Sequence, residues 1–238
     1  MTLVLFLFSC LTGSVIQTVS GFGFGIFVQA IFPYFMPSTS VGVAISALLS
    51  MVLSFIVAFR YRKFIDIKTL LPALAGFFVT SAVAILYFAD KPDTILKKML
   101  AVVLIVMSIY FFFFSDKIKI RPTVRNGVVA GALGGILGGL FGMGGPPMVV
   151  YLLGVQDEPE KYMCNIQCYF TVTNLFATII RVFAGIINVF VIKYWLIGLV
   201  AVFAGIYFGR KIFNKLSAAL LRKLVYGFMA VSGIIMLF

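Results

Sequence analysis

Apolar residues run for some twenty positions at a stretch, and they do so eight times, near 1–35, 40–59, 69–89, 95–115, 126–154, 162–180, 189–208 and 216–238. A helix of about 20 mostly apolar residues crosses the hydrocarbon core of a bilayer. Helices also satisfy their own backbone polar groups there, where water cannot. The pattern therefore predicts an all-α polytopic membrane protein. No polar insert is long enough for a soluble domain, so residues 1–238 are read as a single transmembrane domain. Composition excludes the alternatives. Only 11% of residues are charged and 63% are hydrophobic, whereas soluble chains carry ~25% charge. That excludes a soluble enzyme, and 27 Phe exclude disorder. Histidine is absent, which removes the imidazole base and the commonest metal ligand. Three cysteines make no disulfide framework, and Cys164 and Cys168 read as small packing residues. Neither a metal nor a cofactor is expected. The N-terminal stretch is apolar from its first residues with no basic region ahead, so it is read as retained.

The net charge of +12 could signal nucleic-acid binding, but the basic residues form no continuous face. They sit in short runs between the apolar stretches, as they do at the cytoplasmic ends of membrane helices. They are therefore read as a topology signal, with a lipid bilayer and no nucleic acid as the partner. The six successive hydrophilic stretches carry four, three, four, one, two and five Lys or Arg. Eight plain crossings put 10 on one face and 9 on the other. If the fifth segment enters and leaves on one side, the split becomes 14 against 5, which satisfies the positive-inside rule.

Two segments invite that second arrangement. The first is broken at Gly21-Phe22-Gly23-Phe24-Gly25 and the fifth at Gly142-Met143-Gly144-Gly145-Pro146-Pro147. Paired prolines cannot continue a helix arriving from their N-terminal side, yet they suit the first turn of a new one. The glycines at 131, 134, 135, 138 and 139 read as close helix packing. At a constant offset of 121 residues Gly13 meets Gly134, Gly21 meets Gly142, Gly23 meets Gly144, Phe55 meets Phe176 and Arg60 meets Arg181. The expectation is two four-segment repeats, 1–115 and 126–238, joined by a loop at 116–125. The repeats are inverted, and each opens with a glycine-broken, re-entrant or discontinuous helix. Inverted repeats with broken helices at mid-membrane recur in secondary transporters.

A helix that starts inside the membrane presents free N–H groups and the positive end of its dipole, a ready anion site. The expected substrate-binding residues are Gly21, Gly23, Gly25 and Gln29 from the first half, and Gly142, Gly144, Gly145, Pro146, Pro147, Gln167 and Asn174 from the second. All seven carboxylates fall in loops, and the polar groups within the spans are neutral, among them Gln17, Ser46, Ser50, Ser54, Asn165, Thr171 and Thr173. Amides and hydroxyls donate to an oxyanion without needing a counter-ion, or they tie helices together. Arg60 and Arg181 either snorkel to headgroups or attract anions at opposite mouths of a pathway.

Gly139-Leu140-Phe141-Gly142-Met143-Gly144-Gly145-Pro146-Pro147, Gly205-Ile206-Tyr207-Phe208-Gly209-Arg210, Leu216-Ser217 and Leu221-Arg222-Lys223, together with the duplicated plan, resemble the sulfite exporter TauE/SafE family. The resemblance spans essentially the whole chain. It implies a multi-pass protein of the bacterial inner membrane that moves a small sulfur-containing anion such as sulfite, sulfoacetate or another organosulfonate. The first half departs from the motif: Phe22 and Phe24 separate its glycines, and no proline follows directly. An anion channel or a membrane subunit of a larger complex would share this composition, whereas a membrane enzyme would need a base or metal that the spans lack. The sequence leaves the oligomeric state open.

Overall fold

The structure, a computed structural model, describes residues 2–113, 123–156, 158–212 and 218–237, with backbone only at 212 and 218–225. Its regular elements are all helical: α1 (Thr2–Ser20), α2 (Phe24–Gln29), α3 (Thr39–Arg60), α4 (Ile67–Phe88), α5 (Asp93–Phe113), α6 (Val124–Phe141), α7 (Gly145–Val155), α8 (Pro159–Phe183), α9 (Val189–Ile212) and α10 (Ala218–Leu237). Seven of them, α1, α3, α4, α5, α6, α8 and α9, are long and apolar enough to cross a membrane. The chain is thus an all-α polytopic membrane protein. Six of the eight expected stretches are single helices. The first divides into α1, α2 and a 3-10 turn at Phe32–Tyr34, and the fifth into α6 and α7. Most of the loop at 116–125 lies outside the described residues, as do Leu216, Ser217, Asp116 and Asp157.

Local chemistry sets the helix ends. The side chains of Ser38, Asp66 and Thr123 accept the N–H groups of Val41, Thr69 and Asn126 at the starts of α3, α4 and α6. Each pairing satisfies one of the donors a helix start leaves orphaned. At the far end of α6, Gly142 takes a left-handed φ of 66° and donates to the Gly138 carbonyl, while the Met143 N–H reaches Leu137. The other break uses Gly21 (φ 83°) and Gly23 (φ 107°). Only glycine enters this region without strain, so both breaks are written in the backbone chemistry of the sequence.

After each break the chain folds back. Gly13 of α1 lies against Phe24 and Val28 of α2, and the Phe6 and Phe32 rings pack tilted at 5.6 Å. Gly127 and Gly134 of α6 lie against Tyr151 and Gly144 beside α7. Glycine lets neighbouring helices approach to backbone contact. On α6, Gly131, Gly135 and Gly139 face Ala73, Phe77 and Ser81 of α4 in that order, so these two helices run parallel. On α9, Gly198, Gly205 and Gly209 face Phe6, Ser14 and Thr18 of α1, again in parallel. α3 and α8 run antiparallel, with Ser50 beside Asn174 and Phe64 beside Asn165. α5 and α10 do the same, with Ser108 on Tyr226 and Ala101 near Gly233. α8 follows α4 in the same direction, from Asp66–Asn165 through Phe77–Tyr169 to Phe78–Phe176. Since α6 also runs with α4, the α6–α7 hairpin starts and ends at one end of the bundle.

Outward faces carry apolar stripes at helical spacing, such as Val79, Val83 and Leu86 on α4 and Val102, Val106 and Ile109 on α5, all exposed. Lipid is the solvent such stripes suit. At helix ends Arg62, Lys91 and Lys211 lie over the rings of Phe59, Tyr87 and Tyr207 at 4.4–4.8 Å, where aromatic and basic residues mark the interface.

Candidate functional site

The two helix breaks come together. A Cβ built on Gly25, in the first turn of α2, would collide with the carbonyl oxygen of Gly142 at the tip of the other hairpin. Between the tips lies a cavity of about 30 Å³, lined by Gly23 and Gly25 from one break and by Gly142, Gly144 and Gly145 from the other. Side chains complete it: Gln17 from α1, Ser50 from α3, Phe77 from α4, and Phe170, Thr173 and Asn174 from α8. None of its lining residues is charged. A water needs ~10–15 Å³ of such space, so the cavity admits a water or two. An anion with three oxygens enters only if the tips move apart.

Neutral donors converge there. Asn174 Nδ2 donates to Ser50 Oγ at 3.3 Å, which leaves the serine hydroxyl its own proton to give. Around α7 the prolines decide which backbone donors exist. Pro146 and Pro147 occupy the second and third helical positions and carry no N–H. The orphan donors of the first turn are thereby concentrated at Gly145, beside Gly144, and both line the cavity. Ile26, Phe77, Met143 and Phe170 form its apolar walls. Such a site can hold a small oxyanion through hydrogen bonds and the dipole of α7, in a surrounding apolar enough to strengthen them.

A family model for the sulfite exporter TauE/SafE family matches residues 5–236. The chain belongs to the sulfite exporter TauE/SafE family. As a member it is a multi-pass membrane transporter of sulfur-containing anions, in a family of transporters, not enzymes. No curated protein matches the chain. No solved structure matches it either.

In this TauE/SafE chain the expected site residues divide into two groups. Gly23, Gly25, Gly142, Gly144, Gly145 and Asn174 line the central cavity. Gly21, Gln29, Pro146, Pro147 and Gln167 stand behind it. Gln167 is fully buried; its Nε2 donates to the Gly21 carbonyl at 2.8 Å, and its Oε1 accepts from Gln17 Nε2 at 3.1 Å. Gln17 also donates to Ser54 at 2.9 Å, so the two amides fasten the first break to α3 and α8. Gln29, fully buried, donates to Ser46 at 3.0 Å, and Ser46 lies behind Gly142. Pro146 and Pro147 border a separate apolar fissure with Met107, Leu133 and Val150. The lining residues outside the expected set are Gln17, Ser50 and Thr173, neutral groups visible as polar interruptions within the spans, together with Ile26, Gly138, Met143 and the aromatic walls.

Arg60 and Arg181 differ. Arg60, at the end of α3, is exposed. Arg181 is 1% exposed and its Nη2 donates to the carbonyls of Gly138 (3.1 Å) and Gly139 (2.9 Å), near the end of α6. Cys10 and Cys164 are buried and Cys168 is partly so, and no cluster of potential metal ligands occurs among the described residues. The described carboxylates sit at helix ends and loops. Asp66, for instance, is held below the usual carboxylate range by the Thr69 hydroxyl.

Proposed function

We propose that this protein is an exporter of a small sulfur-containing oxyanion, such as sulfite, sulfoacetate or another organosulfonate, across a bacterial inner membrane. The observation that carries the reading is the uncharged, donor-lined cavity where the two hairpin tips meet. The substrate would be held by the backbone at Gly23, Gly25, Gly142, Gly144 and Gly145, with Asn174, Ser50 and Thr173 as side-chain partners. Gly21, Gln29, Gln167, Pro146 and Pro147 set the shape of the tips, and Arg60 draws anions to one mouth.

We further infer that the two halves, 1–115 and 126–238, are inverted repeats. Shifted by 121 residues, Thr39–Arg60 becomes 160–181, within α8, and Ile67–Phe88 becomes 188–209, which coincides with α9 from its first residue, Val189. The packing supports this, because α4 on α6 becomes α9 on α1 when the halves are exchanged, while α3–α8 and α5–α10 map onto themselves. Their relative directions fit an inverted pair. Opening one tip at a time would expose the cavity to one side at a time, as alternating access requires. Export needs no coupling carboxylate in the spans. A monoanion leaving a negative interior gains ~2.3 kcal/mol per 100 mV, about fifty-fold in concentration.

Flux of radiolabelled sulfoacetate and of sulfite in proteoliposomes tests the reading. Saturable, substrate-selective movement, driven outward by an interior-negative potential, is expected. Flux linear in concentration would replace the carrier with an anion channel, and no flux with either anion would leave a subunit of a larger complex as the better account.

A further inference from the structure

Among the described residues, no carboxylate pairs with the charge of Arg181. This arginine is among the most deeply buried side chains of the protein, and removing a cation from water is costly unless partners replace the water. The ion pairs among the described residues are Lys97–Asp93 and Lys161–Glu158; Arg181 belongs to neither. Its partners are instead the carbonyls of Gly138 and Gly139, at the end of α6 where the helix dipole is negative. One nitrogen, Nη2, makes both bonds. The other terminal nitrogen, Nη1, is buried and has no partner among the described residues.

Arg181 also lines a second, smaller cavity of about 20 Å³, together with Ser40, Val43, Ala84, Ile85, Gly139 and Ile186 among others. Asp93, on the helix that borders it through Leu96, is already engaged by the Thr39 N–H (2.6 Å) and by Lys97 (3.2 Å). Gly138 lines the central cavity and Gly139 this one. The end of α6 therefore separates the two spaces, and Arg181 holds that end in place.

We propose that this second cavity is an anion station in which Arg181 Nη1 receives one oxygen of a sulfonate or sulfite, and that Arg181 is the latch of the second hairpin. The available space matches a single oxygen, with the remainder of the anion directed outward past Ser40. A guanidinium pairs more strongly with an anionic oxygen than with neutral carbonyls. An arriving anion thus draws Arg181 away from Gly138 and Gly139, loosening the tip that closes the central cavity. The ligand that needs passage is then the one that opens the gate. This inference rests on the anion-transport reading above, but it concerns a different cavity and a different residue.

The test uses Ser40→Cys in otherwise intact protein reconstituted in nanodiscs. N-ethylmaleimide labelling at position 40 is followed by mass spectrometry of its peptide, with sulfoacetate as the probe anion. Sulfoacetate is expected to slow labelling at least fivefold, and adding Arg181→Gln is expected to abolish that protection. Adding Asn174→Ala, which alters only the central cavity, is expected to leave protection intact. Absent protection in the parent, or undiminished protection with Arg181→Gln, overturns the proposal; a merely structural arginine gives the first result. If Arg181→Gln does not yield folded protein, Arg181→Lys decides. The half-protecting concentration should rise at least fivefold, and an unchanged value overturns the latch. Loss of transport in Asn174→Ala tests the central site separately, so either idea can fail alone.

Discussion

At Gly25 a single hydrogen atom separates two halves of the protein. The missing side chain admits the Gly142 carbonyl, so Gly25→Ala forces the tips apart or tilts α2. Overpacking of this kind costs about 1–3 kcal/mol, which a membrane domain can survive. The variant is expected to insert and purify normally while sulfoacetate flux falls at least tenfold; wild-type flux would show that the tips need not touch. A second substitution separates binding from architecture. Ser50→Ala removes a hydroxyl whose proton is free to reach the cavity, and leaves Asn174 room to turn. Losing one hydrogen bond to a charged ligand is worth roughly 1.5–3 kcal/mol. The concentration for half-maximal flux should therefore rise ten- to a hundred-fold with little change in maximal rate. A fall in maximal rate alone would make Ser50 part of the moving parts instead of the binding set.

Elements show where reasoning from sequence reaches and where it stops. Helix spans and the positions of the two breaks were legible because glycine, proline and apolar run length are local signals. So was the packing of Gly131, Gly135 and Gly139, since small residues four apart face one neighbour. The sorting of the polar residues was not. Gln167 and Asn174 lie on the same helix, α8, yet Gln167 turns to the Gly21 carbonyl and Asn174 to Ser50 at the cavity. Which one faces the cavity depends on helices some 120 to 150 residues away in the chain. The same holds for the arginines: Arg60 and Arg181 correspond under the proposed repeat, but only Arg181 finds the end of α6 beside it. One local signal makes a prediction at this scale. Asp66 caps α4, and its carboxylate is held below the usual range chiefly by the Thr69 hydroxyl. Its folded value is depressed, so its contribution is present above ~3.9, the unfolded carboxylate value, and lost as pH falls through the folded one. Asp66→Ala should cost about 1 kcal/mol, read as a lowered melting temperature at pH 7. Asp66→Asn, which keeps an accepting oxygen, should cost less. Equal losses at pH 7 would mean the cap is not the source.

At the scale of the whole molecule, charge and packing bear on the same arrangement independently. The count of basic residues favours a fifth segment that returns to its own side, 14 against 5, by the positive-inside rule. The packing has α6 and α8 both following α4, with α7 folded back between them. Two positions distinguish this arrangement from eight plain crossings. Lys91 lies in the turn between α4 and α5, and Glu158 lies just before α8. Eight plain crossings put these two residues on the same face of the membrane. A hairpin of α6 and α7 puts them on opposite faces, with Lys91 on the sparsely charged, outer side. Lys91→Cys and Glu158→Cys, made separately and treated in intact cells with a membrane-impermeant maleimide, should therefore behave differently. Position 91 should label without lysis and position 158 only after it. Labelling of both from outside, or of neither, would remove the hairpin and with it the inverted relation of the halves. The central cavity would then have to be explained without two symmetric gates.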